Sequence, residues 1–356
     1  MKITDFDKNF ELPALAEKDV LWHDINSSPF SIHGVFYDEE NSVYRRLDEK
    51  TAKAVSPSVL YGSCYGVGGR IRFKTDSPYI SIKCACRSAE LLAHSPACSS
   101  HGFALYLDGK YSNSFFPLPS SVYTPSASKT AFTQTIRFDE VFKEREVEIC
   151  LPLYNAVHEL YIGVKDGAKL LPPTQYKHEK PIVYYGSSIT QGGCASHAGN
   201  EYPALVSRWL DSDYLNLGFS GGAKGEPQMA QHLSNLDPSV FVLDYDYNAP
   251  TEQHLKSTYK PLFDTIREKH PTTPIVMITS PNTDSLYHYK ERKEIIFSVY
   301  NEAKEQGDNN VYFVDGESFY GEDRDFCTVD LIHPNDLGFY KMAKKLYPLL
   351  DKILNG

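Results

Sequence analysis

From residue 181 to its end, the chain alternates short apolar runs with longer amphipathic segments. The apolar runs, which predict strands, cover residues 181–186, 213–217, 239–245, 274–280 and 311–314. The segments that follow them predict helices at 201–210, 227–235, 253–269, 287–306 and 335–352. Strands that alternate with helices favour a parallel sheet, because each helix carries the chain back across the sheet. We therefore expect a doubly wound α/β fold here, with functional loops at the carboxyl ends of its strands.

The first half of the chain has a different pattern. Between residues 30 and 165, short apolar or alternating runs are separated by turn residues, and no comparable helical periodicity occurs. Short strands with regular turns are typical of a β-sandwich. The predicted strands are 32–37, 69–74, 79–84, 103–107, 132–138, 145–150 and 159–164. Residues 166–180, with two adjacent prolines and three lysines, predict a linker. We expect an N-terminal domain at 1–175 and a second domain at 176–356.

Ser188 lies where the first predicted strand of the second half turns toward a helix. A small hydroxyl residue at such a turn is well placed to be a nucleophile, because a helix start carries free N–H groups that favour negative charge. Short Ser/Gly loops after strands are nevertheless more often simple turns. The position alone leaves both interpretations open.

A second stretch, residues 329–335, contains Asp330 and His333 on one predicted loop. A serine hydroxyl needs a base to accept its proton, and that base needs a group that fixes its tautomer. With the carboxylate on one ring nitrogen, the other nitrogen could face Ser188. Without Ser188 the pair would be interpreted as a surface turn before a helix, since Pro334 is a good helix-entry residue.

With two further stretches, the chain resembles the SGNH hydrolase superfamily of GDSL-type esterases and lipases. Residues 186–189, Gly-Ser-Ser-Ile, match its Gly-Asp-Ser-Ile/Leu block, with Ser187 in place of the aspartate. Residues 216–221, Asn-Leu-Gly-Phe-Ser-Gly, match its Asn-x-Gly-x-Ser-Gly block. Asn248 is the part of its Gly-x-Asn-Asp block that survives here, and residues 330–333 match its final Asp-x-x-His block.

The resemblance implies a flavodoxin-like parallel-sheet hydrolase domain in which Ser188 is the nucleophile, His333 the general base and acid, and Asp330 the group that orients His333. It also implies an oxyanion hole made of the N–H of Ser188, the N–H of Gly221 and the side-chain amide of Asn248. The loss of one such donor typically costs about 3 kcal/mol in barrier. The implied mechanism requires no metal and no organic cofactor.

The N-terminal half carries a second resemblance. Residues 102–106, Gly-Phe-Ala-Leu-Tyr, are similar to the Gly-x-Asp-Leu-Tyr signature of the β-sandwich that precedes some SGNH domains, with Ala104 in place of the aspartate. Residues 151–155, Leu-Pro-Leu-Tyr-Asn, are similar to another stretch of that module. The two resemblances together imply an all-β sandwich of jelly-roll type in front of the hydrolase domain.

The expected substrate is a short-chain acyl ester, in particular an acetyl ester on a carbohydrate, because SGNH enzymes with such a sandwich resemble carbohydrate esterases. An acyltransferase, a thioesterase and a lysophospholipase of the same superfamily remain alternatives. From another class, the chain could be a carbohydrate-binding protein with a decayed hydrolase site. The sequence does not decide the acyl group, the alcohol, the role of the N-terminal domain or the oligomeric state.

The charge and the cysteines limit the other classes of function. The formal net charge of −10 argues against a nucleic-acid partner, because phosphate binding needs clustered Lys and Arg. No apolar run approaches the length of a membrane span, and the N-terminus lacks the apolar region of a signal peptide. Seven cysteines without a Cys-x-x-Cys pair predict free thiols and a cytoplasmic location.

Several other motifs are expected to be structural. Residues 221–225 are glycine-rich but lack the spacing of a phosphate loop, so they predict a turn before a helix. Cys84 and Cys86 alternate along a strand, where core packing is more common than metal binding. The histidines His94, His101, His158 and His197 are expected at the surface or satisfied in the core. His197, nine positions after the candidate nucleophile, is the one that could line the pocket.

Overall fold

A computed structural model of the 356-residue chain describes residues 17–87, 92–117, 129–138, 142–281 and 289–356. Two larger antiparallel sheets and a two-stranded one occupy the described N-terminal region, and one parallel sheet occupies the C-terminal region. This arrangement confirms the predicted fold class.

The first antiparallel sheet has four strands. They are β1 (Val20–Asp24), β6 (Tyr79–Arg87), β9 (Lys129–Arg137) and β11 (Val157–Lys165), and they pair in the order β1–β11–β6–β9. The central strands β11 and β6 each pair with a neighbour on both sides.

The second antiparallel sheet faces the first across a shared core. Its strands are β2 (Ser31–His33), β5 (Arg70–Thr75), β7 (Phe103–Leu107), β8 (Lys110–Phe115), β10 (Arg145–Cys150) and β12 (Leu170–Leu171), which pair as β12–β5–β10–β7–β8 with β2 also on β5. In β10, Val147 and Ile149 are buried, whereas the glutamates beside them point to the other face. These apolar side chains pack in the same buried cluster as Ile80 and Ile82 of β6, so the two sheets form a sandwich.

Several features of the N-terminal region differ from the sequence prediction. Strands β1 and β8 were not predicted, and β12 lies in the segment predicted as a linker. The strand predicted at 32–37 is two strands, because Gly34 has φ +74° and breaks the extended run after β2. The next strand, β3 (Phe36–Asp38), pairs instead with β4 (Val43–Arg45). The described part of this region also contains the helices α1 (Glu49–Val55), α2 (Pro57–Gly62) and α3 (Ala97–Ser100), each too short to give a clear helical period.

The parallel sheet of the C-terminal region has five strands. They are β13 (His178–Gly186), β14 (Ser212–Gly218), β15 (Val240–Asp244), β16 (Ile275–Ile278) and β17 (Val311–Val314), in the order β14–β13–β15–β16–β17. This is the flavodoxin-like order, in which the first strand stands between the second and the third. Loops leaving neighbouring strands there diverge and open a crevice at the carboxyl edge of the sheet.

Helices cover both faces of this sheet. They are α4 (Ser188–Gln191), α5 (Tyr202–Leu210), α6 (Pro227–Leu233), α7 (Glu252–Lys269), α8 (Tyr289–Glu305) and α9 (Asp336–Asn355). Along β13, Ile182 and Tyr184 are buried under α5 and α9, whereas Val183 and Tyr185 are buried in the cluster with α6, α7 and α8. Burial on both faces explains why these strands are continuous apolar runs in the sequence. The part of the predicted helix 287–306 before residue 289 lies outside the described residues.

The antiparallel and parallel sheets contact each other through buried ionic and aromatic groups. Arg70 of β5 forms an ion pair with Asp213 of β14, and its guanidinium lies 3.8 Å from the ring centroid of Tyr214. Arg208 of α5 lies 3.9 Å from the ring centroid of Tyr106 on β7. The two regions are therefore packed into one body. Of the helices in the described residues, none has both the length and the apolarity to cross a membrane.

Candidate active site

Ser188 is the first residue of α4, directly after the end of β13. Ser187 caps this helix, because its hydroxyl oxygen accepts a hydrogen bond from the N–H of Ile189 at 3.1 Å. The N–H of Ser187 donates to the carbonyl of Asp244 at 3.1 Å, which fixes the turn against β15. The serine that replaces the aspartate of the GDSL block thus serves as a helix cap, and the turn presents Ser188 at the carboxyl edge of the sheet.

His333 lies on a closed loop between β17 and α9. The N–H of Val329 donates to the carbonyl of His333 at 3.0 Å, and the N–H of Asn335 donates to the carbonyl of Cys327 at 2.9 Å. Asn335 also caps α9 by accepting from the N–H of Gly338 at 3.1 Å. At the tip, Leu331 has φ +67°, a left-handed conformation that costs a side-chain-bearing residue about 1–2 kcal/mol. The loop therefore holds His333 in a defined position.

Three side chains predicted from the sequence meet in a hydrogen-bonded chain. The Oγ of Ser188 lies 2.8 Å from Nε2 of His333, and Nδ1 of His333 lies 2.7 Å from Oδ2 of Asp330. The other oxygen of Asp330 accepts from the N–H groups of Ile332 at 3.0 Å and His333 at 2.7 Å. Burial opposes the charged form of Asp330, but these hydrogen bonds outweigh it and lower its pKa. An ionised Asp330 fixes the tautomer with the proton on Nδ1, so that Nε2 can accept the proton of Ser188.

The close approach of these groups depends on Gly193, in the turn after α4. A Cβ at this position would lie 2.9 Å from Cδ2 of His333 and 3.3 Å from both the carbonyl oxygen of Ser188 and the hydroxyl of Tyr154. Such contacts are closer than a Cβ normally makes, so a larger residue at this position would displace the imidazole of His333. The sequence prediction did not single out this glycine.

The loop after β14 is fastened to α4 by amide side chains. Asn216 donates from Nδ2 to the carbonyl of Thr190 at 2.8 Å and accepts from the N–H of Gly218 at 2.9 Å. The N–H of Ser220 donates to Oε1 of Gln191 at 2.9 Å. These bonds set the path of the backbone from β14 to Gly221, which follows directly.

The other two residues predicted for the oxyanion hole follow the strands on either side of β13. Gly221 has φ +65°. Apart from its chain neighbours, no atom lies within 4 Å of the position that a Cβ would occupy, so there is open space beside this residue. Asn248 ends a short 3₁₀ turn after β15 and donates from Nδ2 to the carbonyl of Phe219 at 2.8 Å. One hydrogen of the Asn248 amide is therefore held by the loop that carries Gly221.

The N-terminal region also contributes to the site, which the sequence did not predict. The hydroxyl of Tyr154 lies 2.7 Å from the Oγ of Ser220, and Nε2 of Gln191 donates to the carbonyl of Leu153 at 3.1 Å. Both residues belong to the segment at 151–155 that interrupts the strand pattern. No local spacing could have revealed these contacts, since the partners are tens of residues apart.

Arg46 binds the end of β14, where the loop to Gly221 begins. It is buried, and Nη1 donates to the carbonyls of Asn216 at 2.9 Å and Gly218 at 2.7 Å, while Nη2 donates to that of Gly62 at 2.6 Å. Its guanidinium carbon lies 4.5 Å from the ring centroid of Phe219. Burial lowers the pKa of Arg46 to about 9, which leaves it charged at neutral pH. A cation fixed by backbone carbonyls therefore positions the loop before Gly221.

His94 and Cys194 adjoin the imidazole of His333. The ring centroids of His94 and His333 lie 5.1 Å apart, and the three side chains bring one ligand atom each within 4.8 Å of one another. Cys194 is buried, and burial, with a further contribution from Asp330, raises its pKa to about 12. His94 is exposed, as the sequence suggested, but its position beside His333 was not predicted.

Most of the residues expected to be structural are so. The ring of His197 stacks on Tyr111 at 3.8 Å, and its Nδ1 lies 3.3 Å from the hydroxyl of Tyr106 and 3.1 Å from the carbonyl of Ala198, so its polar atom has structural partners. Cys84 and Cys86 are buried in the core of the sandwich. Residues 221–225 form the predicted turn before α6.

Asp244, at the end of β15 beside the turn that carries Ser188, has a strongly raised pKa. It is 2% exposed, and its Oδ2 accepts from the hydroxyls of Thr190 and Tyr202, both at 2.9 Å. Burial, with the nearby Asp246 second, raises the pKa of Asp244 to about 8. In the unfolded chain an aspartate has a pKa of about 3.9. At a pH between these two pKa values, Asp244 is therefore protonated in the folded protein and ionised in the unfolded chain.

The sign of the resulting pH dependence follows from linkage. Between about pH 4 and pH 8 the folded state binds the Asp244 proton and the unfolded state does not, so stability falls as pH rises. We expect Asp244→Asn, which resembles the protonated acid, to gain stability relative to the wild type by up to about 1.4 kcal/mol per pH unit. Urea unfolding at pH 5 and pH 7.5 measures this difference. The exposed Asp166→Asn is the control, and an Asp244→Asn difference that does not vary with pH would contradict the assignment.

Comparison with known proteins assigns both regions. Residues 179–351 match the profile of the GDSL-like lipase/acylhydrolase family, and residues 20–170 match that of the N-terminus of SGNH-hydrolase-type esterases, known as GxDLY. A comparison of the sequence with curated proteins finds no significant match.

Solved structures resemble the chain over nearly its whole length. A putative GDSL-like lipase from Bacteroides ovatus is 28% identical, with a TM-score of 0.83, and the match covers 94% of this chain and 98% of that one. The salicylyl-acyltransferase SsfX3 of a tetracycline biosynthetic pathway is 19% identical, with a TM-score of 0.77 and coverage of 95% and 98%. An acetyl xylan esterase from Butyrivibrio proteoclasticus is 15% identical, with a TM-score of 0.62 and coverage of 94% and 99%.

The two family matches follow one another along the chain. The four sequence blocks between residues 186 and 333 lie within the GDSL-like match at 179–351. The chain belongs to the SGNH hydrolase superfamily, as a GDSL-like esterase whose hydrolase region follows an N-terminal region of the GxDLY type.

Proposed function

We propose that the protein hydrolyses short-chain acyl esters, in particular acetyl esters on carbohydrate, through an acyl-enzyme formed on Ser188. The observation that supports this most directly is the continuous chain from Ser188 through His333 to Asp330, with distances of 2.8 Å and 2.7 Å. These distances lie in the range expected for a nucleophile, its base and the group that orients the base.

In this mechanism Ser188 attacks the ester carbonyl while Nε2 of His333 takes the hydroxyl proton. His333 then delivers the proton to the leaving alcohol, and water repeats the sequence to release the acid. Asp330 stabilises the imidazolium that forms between the two steps. The N–H groups of Ser188 and Gly221, with the amide of Asn248, stabilise the negative charge on the tetrahedral intermediate.

A row of aromatic side chains supports the carbohydrate part of the proposal. Tyr154, bonded to Ser220, lies 5.7 Å from Tyr65, which lies 5.6 Å from Tyr61. Tyr61 is 54% exposed, so the row extends from the candidate site to solvent. Aromatic faces of this kind can pack against the C–H faces of sugar rings. Several structural relatives are carbohydrate esterases, including the acetyl xylan esterase.

Acyl transfer to an alcohol other than water is the second candidate. It is favoured by the likeness to the salicylyl-acyltransferase, whose TM-score of 0.77 exceeds the 0.62 of the acetyl xylan esterase. The chemistry on Ser188 is the same in both cases up to the acyl-enzyme. The two candidates differ in whether water or a bound alcohol attacks that intermediate.

A substrate panel tests the proposal and separates the candidates. We expect release of acetate from p-nitrophenyl acetate and from acetylated xylo-oligosaccharides, and much slower release of octanoate. A transferred acyl group on an added alcohol, at the expense of free acid, would favour the acyltransferase. No turnover of any acetyl ester, acyl-CoA or lysophospholipid by the folded protein would contradict an esterase function.

Tyr61→Ala tests the aromatic row. We expect it to raise KM for acetylated xylo-oligosaccharides about fivefold, because one aromatic contact is worth about 1 kcal/mol. The rate with p-nitrophenyl acetate, which is too small to reach Tyr61, should not change. An equal change with both substrates, or none with either, would contradict a sugar-binding role for this row.

We also propose that residues 1–175 and 176–356 form separate domains. The change from antiparallel to parallel sheets, between Leu171 of β12 and His178 of β13, supports this boundary. We propose a cytoplasmic location, since all seven cysteines are free thiols.

A further inference from the structure

Three potential metal ligands lie close together at the candidate active site, and the candidate base His333 is one of them. They are a ring nitrogen of His94, the Sγ of Cys194 and a ring nitrogen of His333, all within 4.8 Å of one another. Within the part of the chain that the structure describes, this is the only cluster of three or more such groups. Neither His94 nor Cys194 has a side-chain hydrogen bond to another described residue, so neither is committed to a different polar role.

Backbone hydrogen bonds connect the segment that contains His94 to its neighbours. The N–H of Ser95 donates to the carbonyl of Leu92 at 3.1 Å, and the short helix α3 follows at once. That helix is held by the N–H of Leu153, which donates to the carbonyl of Ser99 at 3.1 Å. The thiol of Cys98 donates to the carbonyl of Ser196 at 2.9 Å, which ties α3 to the loop that carries Cys194. His94 and Cys194 are thus brought together by contacts outside the cluster.

The donor set selects a class of ion. Two imidazoles and a thiolate suit Zn²⁺ and similar borderline-soft divalent cations, whereas Mg²⁺ and Ca²⁺ require oxygen ligands. In a tetrahedral zinc site the ligand atoms lie about 3.3–3.6 Å apart. The ligand atoms, now within 4.8 Å of one another, need to approach by up to about 1.5 Å, through rotation of the exposed His94 and small shifts of Cys194 and His333. The fourth position would hold water.

We propose that His94, Cys194 and His333 form a binding site for Zn²⁺ or a similar cation, and that its occupancy blocks the base. Nδ1 of His333 is held by Asp330, so the lone pair that remains for a metal is the one on Nε2. This carboxylate–histidine pair is also the arrangement that orients histidine ligands in zinc sites. An ion on Nε2 takes the electron pair that would accept the Ser188 proton. The block of activity rests on the proposed function, whereas the binding of the ion does not.

Metal binding is tested first in the Ser188→Ala protein, where no turnover can interfere. We expect one Co²⁺ to bind per chain with a thiolate-to-metal absorption band, and Zn²⁺ to displace it. When His94→Gln or Cys194→Ser is combined with Ser188→Ala, each should weaken Zn²⁺ binding by about 100-fold or more. Even the loss of a hydrogen-bond partner of a metal ligand costs 10–100-fold in affinity. Cys86→Ser, which changes a cysteine in the core of the sandwich and outside the cluster, is the matched control and should bind as the parent does.

The effect on the base is tested with the intact protein and p-nitrophenyl acetate. We expect Zn²⁺ to inhibit, EDTA to restore the rate, and equal concentrations of Mg²⁺ or Ca²⁺ to have no effect. For His94→Gln the readout is the ratio of the rates with and without Zn²⁺ in the same protein, which should stay near 1 whatever its basal rate, whereas the wild-type ratio falls.

Three results would overturn the proposal or part of it. Zn²⁺ binding unchanged in His94→Gln refutes the site, even if Cys194→Ser does not fold. The absence of the thiolate band in the folded Ser188→Ala protein refutes Cys194 as a ligand. Zn²⁺ that binds with the expected ligand dependence but leaves hydrolysis unchanged refutes the block of His333. A protein that binds Zn²⁺ as expected but hydrolyses no ester contradicts the proposed function and supports the metal site.

Discussion

Replacing Ser188 with alanine is expected to lower kcat for p-nitrophenyl acetate by about 10⁴-fold or more, with little change in stability. The hydroxyl group is all that is lost, and its one side-chain hydrogen bond among the described residues is the one to His333. Without it no acyl-enzyme can form, so any residual rate must come from water that attacks directly. Steady-state kinetics and thermal unfolding of both proteins measure the two effects.

A labelling experiment makes this prediction specific to Ser188. A fluorophosphonate should attach once per chain in the wild type, and mass spectrometry should place it on the peptide that contains Ser188. Ser257→Ala, which removes an exposed hydroxyl on α7, should react and turn over normally. Equal rates for wild type and Ser188→Ala would instead favour a binding protein with a decayed site.

Asp330→Asn is expected to lower kcat about 10³-fold with little change in KM. An amide cannot hold the proton on Nδ1 of His333 as a carboxylate does, so the imidazole presents the wrong tautomer to Ser188. A buried triad aspartate is worth roughly 10⁴-fold. The expected loss is smaller here because the Asp330 side chain is 35% exposed, and water can partly solvate the imidazolium.

The geometry of the loop should survive this change. The Oδ1 of an asparagine can still accept from the N–H groups of Ile332 and His333, as Asp330 does. Asp325→Asn, an exposed carboxylate on the preceding turn, is the control and should retain the wild-type kcat. A loss of less than tenfold in Asp330→Asn would show that His333 does not depend on this carboxylate.

The C-terminal region could be predicted well because its information is local. Each strand there is buried on both faces and each helix has a clear apolar side, so the predicted limits differ from the observed ones by only a few residues. Ser188, Asp330 and His333 could be named because each lies in a short block at the end of a strand or the start of a helix. Their mutual contact follows from the parallel sheet, which brings such ends to one edge.

The contributions of the N-terminal region could not be predicted in this way. Arg46, Tyr154 and His94 reach the site only because the two regions pack together, and no spacing in the sequence encodes that contact. The helices α1, α2 and α3 were missed because a helix of four to seven residues completes at most two turns. The strand at 32–37 was predicted to continue through Gly34, which has a positive φ and where a Cβ would lie 2.0 Å from the carbonyl oxygen of Gly68, a contact between distant residues that the local pattern does not show.

The packing of Arg46 and Tyr154 against the loop before Gly221 has a consequence for biosynthesis. A ribosome makes the chain from its N-terminus, so the guanidinium and the phenol that brace this loop exist before the loop itself is translated. His333, by contrast, is translated 145 residues after Ser188. In a nascent chain the serine and the side chains that brace its neighbouring loop therefore exist well before the proposed proton acceptor, and the proposed chemistry can begin only after residue 333 has been made.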